Sequence, residues 1–116
     1  MIVHEMKLHD NGFYRMKSGI KRVEVRLFDE KRRKIAIGDH IMFTNTENPK
    51  EQLSTKVTWL LYYPRFNEMF EDLHQKYFSE FSQEELKDSM LKRYAAEQET
   101  TYGTIAIKIE LLHNNA

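Results

Sequence analysis

The sequence has no cysteine among its 116 residues. Disulfide staples, thiolate nucleophiles and cysteine metal ligands are therefore excluded, and the composition fits a reducing compartment. No apolar run approaches the roughly 20 residues of a membrane span. The opening Met1-Ile2-Val3-His4-Glu5-Met6 meets charge too early for a secretory signal. These absences predict a cytoplasmic protein with no membrane partner. Repeats and low-complexity tracts are also missing. The five histidines (4, 9, 40, 74, 113) form no His-x-x-x-His or His-Glu-x-x-His spacing, so neither a metal site nor a bound cofactor is expected. Gly12 and Gly19 belong to no phosphate-loop pattern, and no Gly-x-Ser-x-Gly elbow occurs.

What is present is an ordinary globular balance, 41% apolar and 31% charged, in a chain long enough for one domain over 1–116 with a working core. The formal net charge is zero but unevenly spread. Residues 12–38 hold nine bases against three acids, and residues 66–99 hold nine acids against four bases. Either the first half meets an anionic partner, or the two halves simply attract one another.

Periodicity supplies the elements. Residues 2–8 alternate as a strand. Asp10 or Asn11 starts a short helix through about Ser18, with Phe13, Met16 and Ile20 inward, and Gly19 suits the position just past its end. From Lys21 the period becomes two. Val23, Val25 and Leu27 take one face; Arg22, Glu24, Arg26 and Phe28 take the other. Asp29 to Lys34 reads as a solvated hairpin tip, Gly38-Asp39 as a turn, and Ile41-Met42-Phe43 as the next strand. After a loop around Pro49, Val57, Trp59, Leu61 and Tyr63 alternate in a strand that Pro64 ends.

Phe66, Met69, Phe70, Leu73 and Tyr77 make a helical stripe. Ser82 with Glu85 reads as a capping box opening a second helix, with Leu86, Met90, Leu91 and Tyr94 on its inner face. Residues 97–101 read as linker, Ile105 to Leu111 as a closing strand and His113 to Ala116 as a fraying tail. The expected fold is α+β, a small barrel of mixed or antiparallel sheet with flanking helices. Val23, Val25, Leu27, Trp59, Leu61, Ile105, Ile107 and Ile109 are its expected core.

Lys21, Glu24 and Arg26 are the most specific polar set. A carboxylate accepts from amino groups, a guanidinium donates to carbonyl or phosphate, and a lysine stabilises a developing oxyanion. The bland reading is a surface ion pair worth under about 1 kcal/mol. Lys31, Arg32, Arg33 and Lys34 offer phosphate contacts or merely a solvated tip. Tyr62, Tyr63, Phe66 and Tyr102 offer stacking surfaces or core.

Lys17, Gly19, Lys21, Glu24 and Arg26 carry a Gly-x-Lys-x-x-Glu-x-Arg pattern that resembles the ASCH domain, a branch of the PUA-like superfamily. Gly38-Asp39-His40-Ile41-Met42-Phe43 and Tyr102-Gly103-Thr104-Ile105-Ala106-Ile107 extend the resemblance across most of the chain. It implies a PUA-like barrel and a cleft beside the motif strand, with Lys17, Lys21, Glu24 and Arg26 binding RNA, a nucleotide or a nucleoside. Small bacterial members of the family remove the acetyl group from acetylated cytidine. Their lysine matches Lys21, but Glu24 stands where they have a threonine, and the helical glutamate would be Glu71 or Glu80. In that alternative Lys21 polarises the amide and Glu24 is the general base. A third class, a protein-interaction domain using the acidic helices, also stays open. Neither the ligand nor the oligomeric state follows from the sequence.

Overall fold

The computed structural model describes residues 1–112; the expected fraying of His113 to Ala116 lies outside them. The chain forms β1 (Val3–Leu8), α1 (Asp10–Lys17), β2 (Val23–Leu27), α2 (Glu30–Arg33), β3 (His40–Asn45), β4 (Gln52–Tyr63), α3 (Phe66–Tyr77), α4 (Gln83–Arg93), α5 (Ala96–Tyr102) and β5 (Thr104–Leu111). The five strands make one sheet in the order β1-β3-β4-β5-β2. It is mixed: β1 runs parallel to β3, pairing Met6 with Phe43, and β3 runs antiparallel to β4, pairing Phe43 with Leu53.

The chain divides into two compact units. The first comprises residues 1–24, 35–60 and 107–116. Its core is Met6, Leu8, Phe13, Met16, Val23, Ile41, Phe43, Leu53, Val57 and Ile107. Strict alternation in β3 puts Ile41, Phe43 and Asn45 inside, as the period of two requires. Helix α1 buries Phe13 and Met16. It stops at Gly19, whose φ of 87° suits a residue without a Cβ. Gly19 N–H donates to the Met16 carbonyl and Lys21 N–H to the Arg15 carbonyl, both at 3.0 Å. The approach to β2 is thus tied to the helix that precedes it.

The same unit holds a second tie. Gly38 has φ 94°, and the next residue, Asp39, is buried. Its carboxylate accepts from Ala36 N–H at 3.0 Å and Ile2 N–H at 3.2 Å, and it meets His4 Nε2 at 2.8 Å. The His4 bond first, then the two backbone donors, hold the Asp39 carboxyl down at about 2. The Gly-Asp turn is therefore a knot that fastens the start of β1 to the start of β3.

The second unit comprises residues 25–34 and 61–106. Phe66, Met69, Phe70 and Leu73 of α3 are buried as the stripe predicts, and Leu86 of α4 joins them in the buried set. The capping box is complete: Glu85 N–H donates to Ser82 Oγ and Ser82 N–H to Glu85 Oε1, each at 3.0 Å. Gly103, with φ 72°, turns the end of α5 into β5.

Several expectations fail here. Residues 30–33 are a helix rather than a hairpin tip, because Asp29 caps it by accepting from Arg32 N–H at 3.1 Å. Residues 96–102 are also helical rather than linker. Leu61 is exposed and Trp59 only half-buried, although the other six expected core residues are buried. The register of β4 with β3 ends at Lys56, and no residue of β4 beyond Val57 is buried. Ile20 and Leu91 are exposed as well.

Candidate functional site

The motif strand departs from its expected surface character at one residue. Glu24 is 2% exposed. Both faces of β2 are covered over Val23, Glu24 and Val25, so the face opposite the valines is interior here. The bland alternative of a surface ion pair does not hold for Glu24, whose side chain is interior. Lys21 Nζ lies 3.1 Å from Glu24 Oε1, with 17% of the lysine side chain exposed against 3% of the glutamate side chain. The pair is graded, with its anion inside and its cation reaching the surface.

That cation lies beside Gly12 of α1. A Cβ built there would sit 3.7 Å from Lys21 Nζ, so the ammonium lies along the glycine flank of the helix. Backbone and side chain of Lys21 are therefore both set against α1. An ammonium carries three donors. One is spent on Glu24, and the partial exposure leaves the group within reach of an anionic or carbonyl-bearing ligand.

Lys17 sits differently. It is exposed and lines a hollow of about 310 Å³ with Phe13, Lys50, Glu51, Gln52, Leu53 and Leu111. Five residues from Gly12, it lies roughly 140° around the helix axis from the flank that Lys21 Nζ occupies. Lys21 and Glu24 are thus brought together, and Lys17 stands on another side of α1. Arg26 is half-buried and continues the motif along β2. Glu71 and Glu80 are exposed residues of the second unit, on α3 and in the turn after it. Among the described residues no group of three His, Asp or Glu could hold a metal ion. Nor is any helix among the described residues long and apolar enough to cross a membrane.

The ASCH domain family model matches residues 6–113. The chain belongs to the ASCH domain family. Two solved structures resemble this ASCH domain over nearly its whole length. The crystal structure of hypothetical protein PH0355 is 36% identical with a TM-score of 0.81, covering 96% of this chain and 100% of that one. The solution NMR structure of protein PF0455 from Pyrococcus furiosus is 36% identical with a TM-score of 0.74, covering 97% and 99%. No curated protein matches the chain. The expected fold class, α+β and PUA-like, holds for this ASCH domain, with a mixed five-stranded sheet and five helices among the described residues. ASCH domains are generally thought to bind RNA.

Sequence reasoning found Lys21 and Glu24 but missed two features around them. The burial of Glu24 has no signal in a period of two, which sorts residues into faces without saying which faces are covered. The part played by Gly12 was equally hidden, since a glycine inside a helix leaves no pattern of its own.

Proposed function

We propose that this ASCH domain binds RNA, with the Lys21–Glu24 pair at the centre of the contact and Arg26 as a further ligand residue, carried by the second unit. The observation that carries the reading is the graded burial of the pair. Burying a carboxylate against a cation that reaches the surface is a costly way to stabilise a strand, since an apolar pair of similar volume often does as well or better. The same arrangement suits a ligand. Glu24 fixes the Lys21 ammonium in place, and the ammonium presents its remaining donors to phosphate or a base carbonyl. Lys17, on its own flank of α1, would add a phosphate contact that positions rather than specifies.

Hydrolysis of an acetylated cytidine has less support. A general base must reach its water, yet the Glu24 side chain is 3% exposed and engaged with Lys21. Glu24 also occupies the position where the hydrolytic relatives carry threonine.

Fluorescence anisotropy with a labelled single-stranded RNA at low salt tests the proposal. Affinity should fall by roughly 0.7 log units per log unit of salt for each phosphate contact. The double variant Lys21→Met/Glu24→Met keeps the volume and removes both charges, so it should stay folded and lose binding. Wild-type protein that binds no RNA at low salt, or a folded double variant that binds like wild type, would overturn the reading.

A further inference from the structure

A second surface, wholly within the second unit, carries stacking groups and positive charge together. Phe28 follows β2, and its N–H donates to the Gly103 carbonyl at 2.9 Å. Its ring lies 4.7 Å from that of Tyr62, tilted by 59°. The Arg33 guanidinium of α2 sits 4.3 Å above the Phe28 ring centroid. Tyr62 is 55% exposed, far more than a core aromatic. The result is a short ladder, guanidinium on phenyl beside phenol, with its tyrosine end open to solvent.

Further positive charge lies on and beside the helix that supplies Arg33. Lys31 and Lys34 line an open hollow of about 490 Å³ together with Asp29, Glu30 and Tyr102. The carboxylate of Asp29 is already taken up, since it caps α2 and pairs with Arg32 Nη1 at 3.0 Å. Positive charge therefore prevails on α2. The groove bounded by α3, α4 and α5 in the same unit is opposite in balance: Glu84, Asp88 and Glu99 against the one base Lys87 line a hollow of about 400 Å³. A polyanion is favoured at the first surface and repelled at the second.

We infer that the Phe28–Tyr62–Arg33 ladder is a stacking platform for a base of single-stranded RNA, with Lys31 and Lys34 on the adjoining phosphates. It rests on the RNA-binding reading above and adds a second point of contact to it. Aromatic faces and arginine planes are what unstacked bases pack upon, with little preference for sequence. Phe28 and Arg33 hold one another, so part of the ordering that stacking requires is already done in the free protein.

The test uses the full chain and a labelled single-stranded RNA of mixed sequence at low salt. Tyr62→Ala should weaken binding by about fivefold or more, while Tyr62→Phe stays within about twofold of wild type. Lys34→Ala should reduce the slope of log affinity against log salt by about 0.7. Circular dichroism checks each fold, and Arg33→Ala, at an exposed position, provides a second platform variant, expected to weaken binding as Tyr62→Ala does. Binding by a folded Tyr62→Ala variant that equals wild type would overturn the platform. Loss of binding in Lys21→Met/Glu24→Met would in that event leave the Lys21–Glu24 reading standing. Loss in Tyr62→Ala with full binding by Lys21→Met/Glu24→Met would do the reverse. No RNA binding by wild-type protein would end both.

Discussion

Lys21 Nζ meets Glu24 Oε1 at 3.1 Å across a steep gradient of exposure, 17% on the lysine side chain and 3% on the glutamate. The two partners are consequently unequal in what their loss does. Removing the lysine takes a cationic partner from a carboxylate held in the interior. Removing the glutamate leaves an ammonium that can turn toward water.

Lys21→Met should therefore cost about 3 kcal/mol, within the range for breaking a buried pair from one side. Glu24→Met should cost less, about 1–2 kcal/mol, because the remaining charge is partly solvated. The double variant should be more stable than Lys21→Met alone. Urea melts of the three proteins give the order directly, and equal losses in both single variants would contradict the gradient.

Asp39 predicts a specific acid response. Its folded carboxyl sits at about 2, below its ordinary value. The stabilisation is thus fully present above the ordinary carboxylate range and drains away as pH falls through about 2. Replacing Asp39 with Ala orphans the Ile2 and Ala36 N–H groups and should cost about 2 kcal/mol or more at neutral pH. Melting temperature followed from pH 5 to pH 2 should fall less steeply in Asp39→Ala than in wild type.

Two phenols give the mirror case at high pH. Tyr14 and Tyr63 are both pushed up to about 12, Tyr14 chiefly by its bond to Glu51 and Tyr63 chiefly by burial, then by Asp72. Folding holds their protons, so their stabilisation is present below pH 10 and is lost as pH rises toward 12. Ultraviolet titration should show two tyrosines ionising after the others. Phenolates that all appear together near pH 10 would contradict this.

Gly103 and Gly19 should respond unequally to alanine. Gly103 has φ 72° and ψ −172°, a region left almost entirely to glycine, and a Cβ there would lie 3.4 Å from the Tyr63 carbonyl oxygen. Gly103→Ala should cost about 1–3 kcal/mol. Gly19 also has positive φ, but its added Cβ would meet nothing within 4 Å. Its replacement should cost about 1 kcal/mol. Thermal melts of the two variants decide the order.

The fold was legible wherever a residue's neighbours in sequence decide its state. The Ser82–Glu85 box, the stop at Gly19 and the stripe of Phe66, Met69, Phe70 and Leu73 are local signals, and each is realised. Failures came where a distant element decides. Leu61 alternates like a core residue, yet β4 outruns its pairing with β3 at Lys56. Lys31 to Lys34 are the exception among the failures, since the Asp29 cap that makes them helical is itself a local signal. For the site, the sequence named Lys21 and Glu24 as partners but could not say that Glu24 lies inside. That depends on what covers the second face of β2, which no spacing within the strand encodes.

The terminal place of β1 in the sheet has its own consequence. A strand at the end of a sheet offers unpaired backbone groups to any other chain and is a natural seed for aggregation. Here the exposed positions of β1 after Val3 carry Glu5 and Lys7, on either side of buried Met6. A second molecule docking in register would bring like charges and their hydration shells along this edge. The same strand that Asp39 fastens on the inside is thus guarded on the outside, and exchanging Glu5 and Lys7 for valine would turn a closed border into an adhesive one.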